Sequence, residues 1–156
     1  MSISGLENLD AWKNAMAFAV RIHKEFLPLL PSEEKWSLVQ QIRRSAQSIP
    51  ANIAEGHGRF YYQDNVRFCY IARGSLEETL SHLAFAQRVG YIPTGLYQSL
   101  SGDGEELNKL INGYIGFLKR SKRGANEPGA NYVARELPPE YHLDEQSSAS
   151  LESNLE

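Results

Sequence analysis

Apolar residues recur at steps of three and four along four stretches of this chain, the spacing that places them on one side of an α-helix. The first stretch runs from about Leu9 to Leu30, with Trp12, Met16, Ala19, His23, Phe26 and Leu30 on one stripe. Asp10 is placed to cap it, and Pro31 follows its end. The second spans about Glu33 to Glu55 and repeats Leu38, Ile42, Ser45, Ile49 and Ile53. Ser32 is its expected N-cap, and Glu33 and Glu34 complement the helix dipole. The third, about Gln63 to Val89, carries Phe68, Ile71, Ala72, Ser75, Leu76, Thr79, Leu83 and Ala86, with Gly90 as its stop. Thr94 is placed to cap the fourth, which presents Tyr97, Leu100, Leu107, Leu110, Ile111, Tyr114 and Leu118 as far as Lys122. Gly102 and Gly104 weaken its first half. No stretch reads as a strand. Four helices on short connections predict an all-α, antiparallel up-down four-helix bundle. Small residues on the seams (Ala19, Ala46, Ala72, Ser75 and Ala86) would allow close approach.

One defect interrupts this pattern. Pro50 stands inside the second stretch, where proline removes a backbone hydrogen bond and clashes with the preceding turn. A packing kink is the simplest expectation. Gly56 and Gly58 then end the helix. Pro50, Asn52, Glu55 and Gly56 read together as a structural motif, with Asn52 and Glu55 satisfying backbone groups freed by the proline and the helix end.

The runs Gln41-Ile-Arg-Arg-Ser45, Ser48-Ile-Pro-Ala-Asn-Ile-Ala-Glu-Gly56 and Gly58-Arg59 carry a resemblance. Phe68, Ile71-Ala-Arg-Gly-Ser-Leu-Glu-Glu78 and Gly90-Tyr91 extend it. In these features the chain resembles the bacterial four-helix-bundle proteins first noticed as reading frames inside 23S ribosomal RNA intervening sequences. The resemblance spans residues 6 to 122 approximately, one domain of ordinary size. It implies self-association as a homopentamer. Through a related accessory protein of diversity-generating retroelements, it also implies binding of RNA or DNA and of a reverse transcriptase or other protein partner. An acidic C-terminal segment, residues 125–156, is a departure from the family pattern.

Composition agrees with a globular domain: 42% hydrophobic and 22% charged residues. No apolar run approaches membrane-spanning length and the N-terminus lacks the pattern of a signal peptide, so no membrane association is expected. The single cysteine, Cys69, forms no internal disulfide and reads as buried and inert. These features predict a cytoplasmic protein. The net charge of −3 hides a division, because residues 1–124 carry 15 Lys+Arg against 12 Asp+Glu and residues 125–156 carry Arg135 against seven acids. Two units are therefore expected: a bundle over 1–124 and an acidic, mostly disordered C-terminal tail over 125–156. Such a tail would be able to fold back and screen a basic face.

Catalytic and metal constellations are weak. None of the four histidines follows a glutamate by three residues, as a di-iron bundle needs. His23 reads as a core histidine, and Glu78 and His82 as a contact one helical turn apart. Gly56-x-Gly58 is too short for a dinucleotide loop. Glu55, His57 and Arg59 crowd one loop beside Asn52, an acid–base arrangement set against the structural reading above. No catalytic residue, metal site or cofactor is expected. Nucleic-acid contacts are expected at Arg43, Arg44 and Arg59, at Lys119 and Arg120 within the run ending at Arg123, and by stacking on Tyr61 and Tyr62. Arg67 and Arg73 add to this basic set. The rival expectation is a protein-interaction scaffold with Trp12, Trp36, Tyr61 and Tyr62 as partner contacts.

Overall fold

The computed structural model describes residues 5–126. Four α-helices follow one another: α1 (Asp10–Arg21), α2 (Leu38–His57), α3 (Tyr62–Arg88) and α4 (Thr94–Ser121), with no strand among the described residues. Helix α1 packs against α2 and α4, α2 against α3, and α3 against α4. That closed cycle with short connections is the antiparallel up-down bundle the periodicity predicts. Residues 127–156, most of the expected tail, lie outside the described residues.

The first helical run continues beyond α1 through a π-helical segment, Ile22–Phe26, and a 3-10 turn, Leu27–Leu29. Its buried residues include Ala11, Ala15, Phe18, Ala19, Ile22, Phe26 and Leu30, so Ala19, Phe26 and Leu30 of the expected stripe face inward, whereas the positions expected at Trp12, Met16 and His23 are taken by the residue one place earlier. Met16 and His23 are exposed and Trp12 half-buried, which corrects the reading of His23 as a core histidine. Alanines carry little hydrophobic signal, yet at a seam they bring backbones together, so Ala11 and Ala15 take inner positions beside Phe18, Ile22 and Phe26, while Met16 stays outside.

None of the three expected caps acts as one. Leu9 and Pro93 stand at the N-cap positions of α1 and α4, leaving Asp10 and Thr94 as first helical residues. Ser32 opens a 3-10 turn, Ser32–Glu34, and α2 starts only at Leu38. Glu34 supplies the missing acceptor there: Leu38 N–H donates to its Oε2 over 3.3 Å. At the far end of α3 the Tyr91 N–H donates to the Ala86 carbonyl at 2.8 Å and Gly90 N–H to that of Gln87 at 3.1 Å. Gly90, at φ +83°, completes this left-handed stop as expected.

Helix α2 runs unbroken through Pro50 to His57, as far as the spacing predicts, and both Ile49 and Pro50 are buried. Side chains around the proline bind carbonyls of the same helix: Ser45 Oγ donates to Ile42 O (3.2 Å), Ser48 Oγ to Ser45 O (3.1 Å) and Asn52 Nδ2 to Ser48 O (2.7 Å). Across the α2–α3 seam Thr79 Oγ1 donates to Ser45 Oγ at 2.8 Å, and Ser48 Oγ meets Ser75 Oγ. Asn52 therefore serves a different carbonyl from the Ala46 group that Pro50 leaves unbonded, and Glu55 binds Arg59 rather than backbone. Gly56 is buried in the last turn, one residue before the helix ends at His57, and Gly58 is the C-cap. Phe68 is half-buried and Ile71 exposed, so α3 turns Cys69 and Val66 inward instead. Cys69 is fully buried, as expected, and burial pushes its thiol pKa up to about 12.

Candidate functional site

One end of the bundle gathers the α2–α3 connection, the first turns of α3 and the last turns of α4. The Tyr62 N–H donates to the Arg123 carbonyl at 3.0 Å and ties these segments together. Residues 55–73 and 112–126 carry seven Lys and Arg side chains against two acids, Glu55 and Asp64. The remaining described residues carry eight basic and ten acidic side chains. The positive balance of the bundle is therefore confined to this end.

Aromatic rings hold the cations in place. Arg123 lies 4.9 Å from the centre of the Phe60 ring, Arg59 5.2 Å and Arg67 5.9 Å from Phe68, and Arg73 5.0 Å and Lys119 5.4 Å from Tyr70. Arg59 also pairs with Glu55 at 2.7 Å, Arg67 lies 3.7 Å from Asp64, and Arg73 donates to Asn112 Oδ1 at 2.9 Å. No carboxylate partners Lys119 or Arg123 among the described residues. Cation–ring contacts leave most guanidinium N–H donors free for phosphate oxygens.

A cleft of about 310 Å³ opens between these elements. His57, Arg59, Phe60 and Tyr62 line it on one side, and Tyr114, Phe117, Ser121 and Arg123 on the other. Tyr114 and Phe117 stack with ring centres 6.4 Å apart and planes at 14°. Asn65 Nδ2 donates to the Tyr114 hydroxyl at 2.9 Å. Desolvation raises the pKa of that hydroxyl, which keeps it a neutral donor.

The expected contact residues fall into separate places. Arg59, Lys119 and Arg120 belong to this end; the Arg120 guanidinium curls back towards Gly116. Arg43 and Arg44 do not. Arg44 lies thirteen residues before His57 on α2, roughly 20 Å along the axis at 1.5 Å per residue. It sits 3.7 Å from Glu78, which also contacts His82 at 3.5 Å, the surface contact expected there. Tyr62 is half-buried against the core, and Tyr61 packs edge-on to Phe60 at 5.1 Å and against Gly124. The rings offered to solvent are instead Phe60, Phe117 and Tyr70. Phe117 was findable: it is a large apolar residue off the Leu107, Ile111, Ile115, Leu118 stripe of its own helix.

Among the described residues no three His, Cys, Asp or Glu side chains come together as a metal site, and no helix is long and apolar enough to cross a membrane.

No curated protein matches this chain. Among solved structures, a crystal structure of a protein of unknown function from the S23 ribosomal protein family of Bacteroides thetaiotaomicron is 33% identical. The match covers 67% of this chain and 97% of that one, with a TM-score of 0.62. The model of the 23S rRNA-intervening sequence protein family matches residues 7–113, the span that holds α1 to α3 and most of α4, and the chain belongs to that family.

Proposed function

We propose that this protein is a non-catalytic nucleic-acid-binding accessory factor that works through the basic, aromatic end of its bundle. The observation that carries the reading is the confinement of positive charge there, seven cations against two carboxylates, around exposed rings. Cations placed along phosphates gain affinity by releasing counterions, and exposed rings stack on unpaired bases. The family's description names an RNA context, which makes RNA the first ligand to test. A homopentamer, as the resemblance implies, would present this modest charge five times over, and multivalency strengthens weak sites. The reading assigns no metal or cofactor and leaves a reverse transcriptase or other protein as a further partner.

The test is binding of the full-length chain to single-stranded RNA and DNA over a salt series. The pair Arg59→Ala/Arg123→Ala should lower the log–log salt slope by about 1.4, two contacts at roughly 0.7 each. Arg43→Ala/Arg44→Ala should leave that slope unchanged. The reverse result would move the contacts to the middle of α2. No binding to either ligand at low salt would remove the reading altogether.

A second reading, a protein-interaction scaffold, is favoured by a different surface. A groove of about 460 Å³ between α1 and α2 is lined by Met16, Val20, Pro50 and Ala51 with His23 at its edge. Association through such an apolar groove would be insensitive to salt, and sedimentation at low and high salt separates the two readings.

A further inference from the structure

We infer that the cleft at the basic end accepts a single unpaired nucleotide of a strand, with its base inside and its flanking phosphates on Arg59 and Arg123. The inference rests on the nucleic-acid reading above and specifies its ligand. Size argues first. At about 310 Å³ the cleft matches the small end of ligand pockets, which bury most of a compact ligand. A duplex keeps its bases stacked inside and offers this end only its backbone.

Chemistry argues second. Phe60 is 49% exposed and Phe117 56%, and both border the cleft. Such rings gain by covering a base face and serve every base alike. Tyr114 accepts from Asn65, so its own O–H remains a donor for a base-edge carbonyl or ring nitrogen. Position argues third. Arg59 and Arg123 both line the cleft and each already lies over a ring, Phe68 and Phe60 respectively. Their charge therefore lines the cleft that a splayed nucleotide would enter, with planar donors suited to phosphate oxygens.

The experiment measures fluorescence anisotropy of the full-length protein with four probes. These are an unstructured single strand, that strand annealed to its complement, that strand with abasic sites at its centre, and the free mononucleotide. The single strand should bind tightest, and loss of the central bases should weaken it by about fivefold to a hundredfold, the range of one stacked base. Phe117→Ala, which removes an exposed ring and spares the core, should weaken the base-bearing strand and leave the abasic strand unchanged. Phe60→Ala should weaken the base-bearing strand more than the abasic one, which it also weakens because the ring holds Arg123. Equal binding of base-bearing and abasic strands, or an equal loss for both in Phe117→Ala, would overturn the inference while leaving phosphate-driven binding intact. A free mononucleotide that binds as tightly as the strand would also overturn it, because the site would then be a small-molecule pocket. No binding of any probe would remove the nucleic-acid reading itself.

Discussion

A Cβ at Gly56 would lie 2.8 Å from Asn65 Oδ1, 2.9 Å from Phe68 Cβ and 3.0 Å from the Asn65 carbonyl oxygen. Backbone and a first side-chain carbon cannot swing away, so Gly56→Ala should push α2 off α3 and cost about 1–3 kcal/mol. Gly102 is the counterpart: nothing lies within 4 Å of its would-be Cβ. There alanine adds only helix propensity, and Gly102→Ala should stabilise by up to about 1 kcal/mol. Urea unfolding of the two variants against the parent protein checks both signs. Gly104 sits between these cases, because its would-be Cβ meets Leu80 Cδ2 at 2.6 Å, the end of a flexible chain. The glycine expected to weaken α4 is one that seats α3 against it.

Cys69 supplies a pH dependence at the same scale. In the unfolded chain its thiol ionises at about 8.5, whereas burial in the fold moves it to about 12. Between those values the unfolded state binds fewer protons, so stability falls as pH rises, by at most about 1.4 kcal/mol per pH unit. The contribution is fully present below the lower value. Cys69→Ala lacks this component, and its stability should decline less steeply than that of the parent between about pH 8.5 and 10.5 in paired urea titrations.

At the scale of elements, Glu34 joins two connections that the sequence leaves apart. Its Oε2 accepts from Leu38 N–H at 3.3 Å, and its Oε1 accepts from the Tyr91 hydroxyl at 2.9 Å. That hydroxyl's pKa is raised, first by the hydrogen bond to Glu34. One carboxylate thus starts α2 and fastens the α3–α4 turn to the α1–α2 connection. Glu34→Ala should cost about 1 kcal/mol, as loss of a helix cap does. Glu34→Gln retains an acceptor for one of the two donors and should cost less, which thermal unfolding of the two variants resolves. Helix bodies were legible from spacing because 3.6-residue periodicity survives local errors. Helix starts were not, because a serine or threonine before a pattern fits several positions equally well. Ser32 and Thr94 met the local rule, but α2 starts six residues beyond Ser32, where Glu34 binds the Leu38 N–H, and Pro93 takes the N-cap position of α4.

At the scale of the molecule, charge is arranged end to end. The residues 55–73 and 112–126 hold the excess of cations, and the rest of the described chain holds an excess of acids. The last residues, 125–156, bring seven acids and one arginine to a chain that leaves the bundle at the basic end. Removing residues 127–156 should therefore tighten binding of a single strand at low salt and change it little at high salt, where charges beyond a Debye length of ~3 Å are screened. Parallel titrations of the full-length and shortened chains check this; equal affinities at low salt would show that the acidic segment does not act on the basic end.

The candidate site divides along the same line between sequence and structure. A run such as Lys119 to Arg123 is visible as a basic cluster in one dimension, and Arg59 beside three aromatics is visible for the same reason. Arg43 and Arg44 look equally suitable in sequence because adjacency counts there as proximity, whereas helix geometry carries them roughly 20 Å away. Periodicity alone determined the four helices, their order and most of the buried stripe, since these depend on spacing within each segment. Only the tertiary structure decided which rings face solvent and which cations share an end. Each of those depends on what a neighbouring helix presents at a few ångströms, and separations of that kind are not written along the chain.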